Sequence, residues 1–243
     1  MIEALLPPGA VADERFGPDP SARLHPEEAT LVAKAVARRR EEFTTVRACA
    51  RRALAALGLP PAPVLPGVRN APRWPAGVVG SMTHCTGYRA AVLARDVDLV
   101  TVGIDAEPDL PLPGGVLEAI ALPGELDRVR AGGPGGGVCG DRLLFSAKEA
   151  VYKTWYPLLG TELDFHDADI SFARAGSSPA TESTASSGAA GAARVTGTFT
   201  ARLLRPEHGP GGRLVDGFTG RWLSERGIIV TVIGVPALRS VAP

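Results

Sequence analysis

Two short segments of the 243-residue sequence hold the side chains best suited to chemistry. Gly103-Ile104-Asp105-Ala106-Glu107 closes an apolar run, and Phe145-Ser146-Ala147-Lys148-Glu149-Ala150-Val151-Tyr152-Lys153 lies further along the chain. Strand side chains alternate, so Asp105 and Glu107 project to one side while Val100, Val102 and Ile104 project into a core. On a helix, Glu149 falls among Phe145, Tyr152 and Tyr156, with Lys148 and Lys153 flanking it and Leu144, Val151 and Trp155 forming the adjacent apolar stripe. Taken alone, a strand-end acid pair is usually a solvated terminus, and a Glu149–Lys153 pair at i, i+4 is worth only ~0.3–0.5 kcal/mol. Taken together, three carboxylates and two lysines suit a magnesium ion holding a diphosphate, because magnesium takes oxygen ligands and commonly combines one or two carboxylates with substrate phosphates. The pattern points to phosphoryl-group chemistry.

Further upstream, His84 follows Ser81-Met82-Thr83 just ahead of an apolar segment, beside a proline-rich stretch. That placement suits either a structural histidine or a phosphate contact. Arg38, Arg39, Arg40, Arg47, Arg51 and Arg52 crowd one helical stretch. A solvated helix face accounts for such a run as readily as a binding surface does.

The elements that must position these residues are legible in outline. Residues 1–25 read as an irregular, proline-rich lead-in. A helix starts at Pro26, with Glu27 and Glu28 in its first turn, and runs in two pieces; the second puts Phe43, Val46, Ala50, Ala53, Leu54 and Leu57 on one side and ends at Gly58. Residues 60–75 form a proline-rich loop. Val78–His84 leads into a strand at Arg89–Ala94. That strand and Leu99–Ile104 read as a hairpin turning near Asp96 and Asp98. Two short helices around 115–121 and 124–131 precede a glycine tract, Gly132–Gly137, which is a connection and not a phosphate loop, since no Lys-Ser/Thr follows it. A strong helix spans about Asp141 to Tyr156, stopped by Pro157. Strands follow at 170–173, 195–204, 217–222 and 228–233, with a Ser/Ala/Thr/Gly tract at 176–193 read as a mobile hairpin loop. Helices followed by antiparallel strands in both halves give an α+β fold with two similar lobes.

Composition sets outer limits. The chain is 45% apolar and 21% charged with a formal net charge of zero, so no overall basic pull directs it to nucleic acid or to a membrane surface. No apolar stretch approaches the ~20 residues that span a bilayer, and the N-terminus lacks a basic or apolar leader. Three cysteines without a C-x-x-C spacing favour neither disulfides nor zinc, and fit a reducing cytoplasm.

Gly103–Glu107 and Phe145–Lys153 together resemble the paired signature of 4'-phosphopantetheinyl transferases. Glu42-Phe43 with Arg47-Ala48-Cys49-Ala50-Arg51, and Arg73-Trp74-Pro75-Ala76-Gly77-Val78-Val79-Gly80-Ser81-Met82-Thr83-His84-Cys85, extend the resemblance to the enterobactin- and surfactin-type members. It covers roughly 27–172, and Phe145 stands where many members have Trp. The resemblance implies two pseudo-symmetric lobes with the site in the cleft between them, divided here as 1–108 and 109–243. It implies that Asp105, Glu107 and Glu149 hold Mg2+ (or Mn2+) against the diphosphate of coenzyme A, with Glu149 also as base. Lys148 and Lys153 would stabilise the diphosphate, and Arg39, Arg47, Arg69, Thr83 and His84 would contact nucleotide phosphates. The implied reaction moves the phosphopantetheine arm to a serine of an apo acyl- or peptidyl-carrier protein. Chain length favours the double-lobed monomer and the carriers of polyketide and nonribosomal peptide synthesis. Two other readings use the same residues: a magnesium phosphohydrolase, and a non-catalytic coenzyme A-binding module.

Overall fold

The computed structural model describes residues 1–174 and 194–237. In chain order the elements are β1 (Ala10–Phe16), α1 (Pro26–Leu31), α2 (Ala37–Ala56), β2 (Leu65–Pro66), β3 (Pro72–Arg73), β4 (Val78–Cys85), β5 (Tyr88–Arg95), β6 (Leu99–Pro108), α3 (Val116–Ile120), α4 (Pro123–Arg130), α5 (Gly140–Leu159), β7 (Ala168–Arg174), β8 (Val195–His208), β9 (Leu214–Glu225) and β10 (Ile228–Pro236). They build an α+β molecule of two lobes. A three-stranded antiparallel sheet, ordered β1-β5-β4, carries α2; a five-stranded antiparallel sheet, ordered β6-β10-β9-β8-β7, carries α5. β2 and β3 form a small separate ribbon. No helix among the described residues is long and apolar enough to cross a membrane.

The core is layered. Leu143, Leu144, Ala147, Ala150, Val151 and Trp155 of α5 pack on Ile170, Phe199, Ala201, Trp222, Ile229 and Ile233 of the larger sheet. α2 sets Cys49, Ala50, Ala53 and Leu54 against Ala91 and Leu93 of β5. Between the sheets, Tyr88, Ala90, Val92 and Ala94 meet Val102, Ile104, Val230 and Val232. β5 is therefore buried on both faces, which is why its sequence is a continuous apolar run and not an alternating one.

The lobes join where β4 and β6, each an edge strand of its own sheet, lie side by side. No backbone ladder bridges them. Instead the Ser81 hydroxyl accepts the Ile104 N–H at 3.1 Å and the Thr83 hydroxyl accepts the Ala106 N–H at 3.0 Å. Two small hydroxyl side chains thus occupy the edge positions and fix β6, with its acids, against the first lobe.

Several expectations need correction. The hairpin is β4–β5, pairing Cys85 with Tyr88 around Gly87 at φ 86°. The chain does turn at 96–98, but it crosses there into the second sheet, where β6 pairs with β10. β6 therefore lies with the second lobe's sheet, whereas a division after 108 groups it with the first. The lead-in is not irregular: β1 pairs with β5 from Ala10↔Ala94 to Phe16↔Tyr88. Its polar run, Asp13-Glu14-Arg15, hid an edge strand whose acids are satisfied by partners, such as Arg52 on Asp13 and the Tyr88 hydroxyl on Glu14. Val100 is exposed, because the β6–β10 register slips where Thr101 pairs with Val235 and Leu99 with Pro236, so Val100 is the unpaired residue of a bulge. α5 continues past Pro157 to Leu159; proline removes one backbone bond there, and Gly160, at φ 72°, ends the helix. The 176–193 tract lies outside the described residues.

Candidate active site

Asp105 sits near the end of β6 and is 4% exposed. Three features hold it. Lys153, from the fourth turn of α5, brings its Nζ to 2.7 Å from Asp105 Oδ1. Thr83 donates its hydroxyl to the same oxygen at 3.3 Å while accepting from Ala106. Gly103, two residues back on the same face, lets α5 come close: a Cβ there would stand 2.2 Å from Thr154 Oγ1 and 2.3 Å from the Ala150 carbonyl. The absent side chain is what seats the Glu149–Lys153 turn of α5 over the acid end of β6.

The other Asp105 oxygen, Oδ2, is buried without a hydrogen-bond partner. A buried orphan carboxylate oxygen is costly, and such atoms in native folds call for a missing partner. A hard cation with oxygen preference is the partner this donor set fits.

Glu107, one pleat further, is turned by Arg142, whose Nη1 lies 2.8 Å from Glu107 Oε2. Burial pushes the Glu107 carboxyl up, Asp105 adds to the rise, and Arg142 opposes it. Glu149 is half-buried; burial raises its carboxyl too, against the pull of Lys153. Among the described residues no three His, Cys, Asp or Glu side chains are gathered tightly enough for a ready-made metal cage. The three expected carboxylates share one neighbourhood but are separately engaged, Asp105 by Lys153 and Glu107 by Arg142.

Lys148 departs from expectation. Its Nζ is held by Glu125 Oε2 at 2.9 Å and by the carbonyls of Phe165 at 2.6 Å and Ala168 at 2.8 Å, with only 1% of the side chain exposed. An ammonium has three protons, and all three are spent on α4 and the segment entering β7. This geometry does not bring Lys148 beside Lys153 for a diphosphate. Glu125 was not anticipated; it also accepts from Leu122 N and Ile170 N, so it buries a full set of partners.

The first-lobe residues line a cavity of about 570 Å³ that reaches Glu149, Tyr152 and Lys153. Arg39 donates to His84 Nε2 at 2.8 Å, so that nitrogen must be the acceptor and the ring is neutral with its proton on Nδ1. Burial, then Arg39, holds the His84 pKa down. Arg47 lies with its guanidinium 3.1 Å from the Phe43 ring centroid and donates to the Val64 carbonyl; burial pulls its pKa to about 10. Arg69 reaches the cavity rim from a turn in which it and Asn70 both take positive φ, and it pairs with Glu162 across the cleft. Thr83 is buried, and its single proton is already given to Asp105.

A second, smaller cavity of about 300 Å³ opens on the adjoining flank of α5, lined by Val151, Leu163, Phe165 and Ala168 with Lys148 and Asp164. Glu149 and Tyr152 line both cavities. The face of α5 that carries Glu149 and Tyr152 is thus a ridge between a larger chamber bearing Arg39, Arg47 and Lys153 and a smaller, largely apolar one.

Known proteins match this chain over nearly its whole length. Residues 27–94 fit the family model of the 4'-phosphopantetheinyl transferase N-terminal domain, and residues 101–199 that of the 4'-phosphopantetheinyl transferase superfamily. The chain is 52% identical over 243 residues to the 4'-phosphopantetheinyl transferase Svp of Streptomyces mobaraensis, covering 98% of this chain and 90% of that protein. It belongs to the 4'-phosphopantetheinyl transferases. PptT of Mycobacterium tuberculosis is 44% identical over 237 residues, covering 96% and 97% of the two chains; Npt of Nocardia iowensis is 43% identical over 234 residues, covering 96% and 99%. As a 4'-phosphopantetheinyl transferase the chain is an enzyme of the holo-carrier-protein synthase type. The two family models meet in the interval 95–100, where the chain passes from the first sheet to the second.

Proposed function

We propose that this enzyme transfers the 4'-phosphopantetheine arm of coenzyme A to a carrier-protein serine at the Asp105–Glu149–Lys153 cluster, with a divalent cation held there. The reading is carried by one observation: Glu149 lines both the basic 570 Å³ chamber and the apolar 300 Å³ one. Coenzyme A has a 3'-phosphorylated adenosine at one end and a slender, largely uncharged arm at the other, joined by a diphosphate. The basic chamber, with Arg39, Arg47 and His84, suits the nucleotide end. The apolar chamber suits the arm, which puts the diphosphate at the ridge.

Asp105, through its unpartnered Oδ2, with Glu149 and Glu107, would hold Mg2+, or Mn2+ in its place. The ion supplies charge neutralisation of the diphosphate and of the departing oxygen. Glu149, at the ridge, takes the proton of the incoming serine hydroxyl. The serine oxygen then bonds to the phosphorus bearing the arm, and the bond to the nucleotide phosphate breaks, releasing adenosine 3',5'-bisphosphate. Lys153 is placed to stabilise the charge growing on that leaving group. Arg47, rigid over Phe43, offers a forked guanidinium to a terminal phosphate. Lys148 supports the floor of the arm chamber through Phe165 and Ala168. We extend the reading to a cytoplasmic monomer serving acyl- and peptidyl-carrier domains of polyketide and nonribosomal peptide synthesis.

The test is mass spectrometry of apo carrier domains incubated with the enzyme, coenzyme A and Mg2+, with and without chelator. A carrier heavier by the phosphopantetheine arm only when the metal is present supports the reading. Transfer that survives complete chelation refutes the metal.

A further inference from the structure

We infer that Arg142 is a positioning residue that fixes Glu107 and the loop after β6 as one rigid unit, leaving one Glu107 oxygen for the divalent cation. The inference rests on the metal reading above. It is drawn from an unusual concentration of partners on one guanidinium. Arg142 Nη1 donates to Glu107 Oε2 at 2.8 Å, Nε to the Leu110 carbonyl at 2.9 Å and Nη2 to the Pro111 carbonyl at 2.9 Å. Three nitrogens serve three acceptors, and the side chain is 16% exposed, against 19% for Glu107.

The planar fork makes this more than an ion pair. Its three directions are fixed relative to one another, so the Glu107 carboxylate cannot turn unless the Leu110–Pro111 backbone moves with it. The rest of the first turn of α5 reinforces the clamp. Asp141 Oδ2 accepts Leu112 N–H at 2.8 Å, and Asp141 Oδ1 accepts the Arg142 N–H at 2.8 Å. Asp109 accepts the Cys139 N–H at 2.8 Å and the Ser224 hydroxyl at 2.5 Å. The segment from Glu107 to Leu112 is thereby tied to the start of the same helix that carries Glu149 two turns later and Lys153 three turns later.

Arg142 engages only one oxygen of Glu107, and Oε1 has no hydrogen-bond partner among the described residues. A cation bound at Oε1 therefore leaves the Arg142 contact intact, and the guanidinium acts as an orienting partner to a ligand carboxylate. Loss of such partners commonly costs about 10–100-fold in metal affinity.

The experiment uses the full chain with coenzyme A and Mn2+ as the probe, read by electron paramagnetic resonance, with deuterium exchange of residues 108–112 followed in parallel. Arg142→Gln is expected to weaken Mn2+ binding about tenfold and to raise the KM for Mg2+, with kcat at saturating Mg2+ near that of the parent. It also speeds exchange in the loop. Arg142→Lys is expected to keep Mn2+ affinity within about threefold, since an ammonium still reaches Glu107, yet to speed loop exchange, since it cannot span two carbonyls as well. Parent-like Mn2+ affinity in Arg142→Gln, with Asp105→Asn abolishing binding, overturns the role of Arg142 and leaves the metal reading standing. Absence of Mn2+ binding by the parent overturns both. If Arg142→Gln fails to fold, Arg142→Lys decides: loop exchange equal to the parent's overturns the proposal.

Discussion

Lys153 Nζ stands 2.7 Å from Asp105 Oδ1, 48 residues away in sequence, and the contact joins α5 to the β6 edge that faces the first lobe. The two groups neutralise each other across the place where substrate charge is to arrive. Removing Lys153 leaves Asp105, 4% exposed, without its cationic partner. For Lys153→Ala we expect kcat to fall about 10²–10³-fold, the cost of losing one preorganised donor to a developing anion. Coenzyme A affinity, measured by calorimetry, should fall much less. Equal losses in kcat and in affinity would assign Lys153 to ground-state binding instead.

Glu149→Gln keeps the size and polarity of the side chain and removes its charge and its capacity as a base. Carrier modification is expected to disappear in a single-turnover assay while coenzyme A still binds the two chambers that Glu149 separates. A variant with near-parental turnover would remove Glu149 from both its proposed roles.

Lys148 and Glu125 form a pair with 1% exposure on each side chain. Breaking one partner of such a pair strands the other charge and costs about 3–5 kcal/mol. Lys148→Ala is therefore expected to lower the denaturation midpoint sharply. Adding Glu125→Gln should recover part of the loss, because the stranded charge goes while the amide oxygen can still accept one of the Leu122 and Ile170 N–H groups, although the Phe165 and Ala168 carbonyls stay unpartnered. A Lys148→Ala protein of parental stability but no activity would return Lys148 to the chemistry.

The balance between what was readable and what was not follows from range. Asp105, Glu107, Glu149 and Lys153 were legible because local periodicity sets the face on which each lies, and both motifs are short. The exposure of Val100 was not legible, since a bulge depends on the partner strand. The fate of Lys148 was hidden for the same reason: its three acceptors come from α4, from the turn before β7 and from the first residue of β7, and no local pattern announces them. β6 was assigned to the wrong partner because its apolar neighbours suited a local hairpin equally well, and only β10, far along the chain, decided the pairing. Arg142 had one weak signal. It lies seven residues before Glu149, which puts both on one helical face, but a charged first turn is commonplace.

His84 provides a pH signature. Its folded pKa is depressed, first by burial and then by Arg39, so the folded state binds fewer protons than the unfolded state below the ordinary histidine value. Stability from this group is complete above about pH 6.5 and is lost as pH falls from there toward the folded pKa. Comparing melting temperatures of the parent and His84→Asn from pH 7.5 to 5.5 isolates the contribution. The parent is expected to lose stability more steeply than the variant across that interval. Parallel curves would mean that His84 titrates as it does in the unfolded chain.

Gly103 puts the close packing of the site to its most direct test. A methyl group at this position meets Thr154 Oγ1 at 2.2 Å, the Ala150 carbonyl at 2.3 Å and Thr154 N at 2.7 Å, two of them backbone atoms of α5 that cannot rotate away. The helix must move off β6, and overpacking of this kind costs about 1–3 kcal/mol. Moving α5 also moves Lys153 and Glu149 away from Asp105. Gly103→Ala is therefore expected to lose transfer activity by more than its stability loss implies, at temperatures where it is still fully folded. The backbone here is extended, so the substitution carries no penalty from positive φ, and steric contact alone is tested. Pairing Gly103→Ala with Thr154→Ala removes only the Oγ1 contact and leaves the Ala150 carbonyl and Thr154 N in place. Stability should recover in part and activity less, since the backbone contacts still hold the helix off the strand. Full recovery of both would show that the threonine hydroxyl, and not the close approach of the α5 backbone, sets the distance between the lysine and the acid.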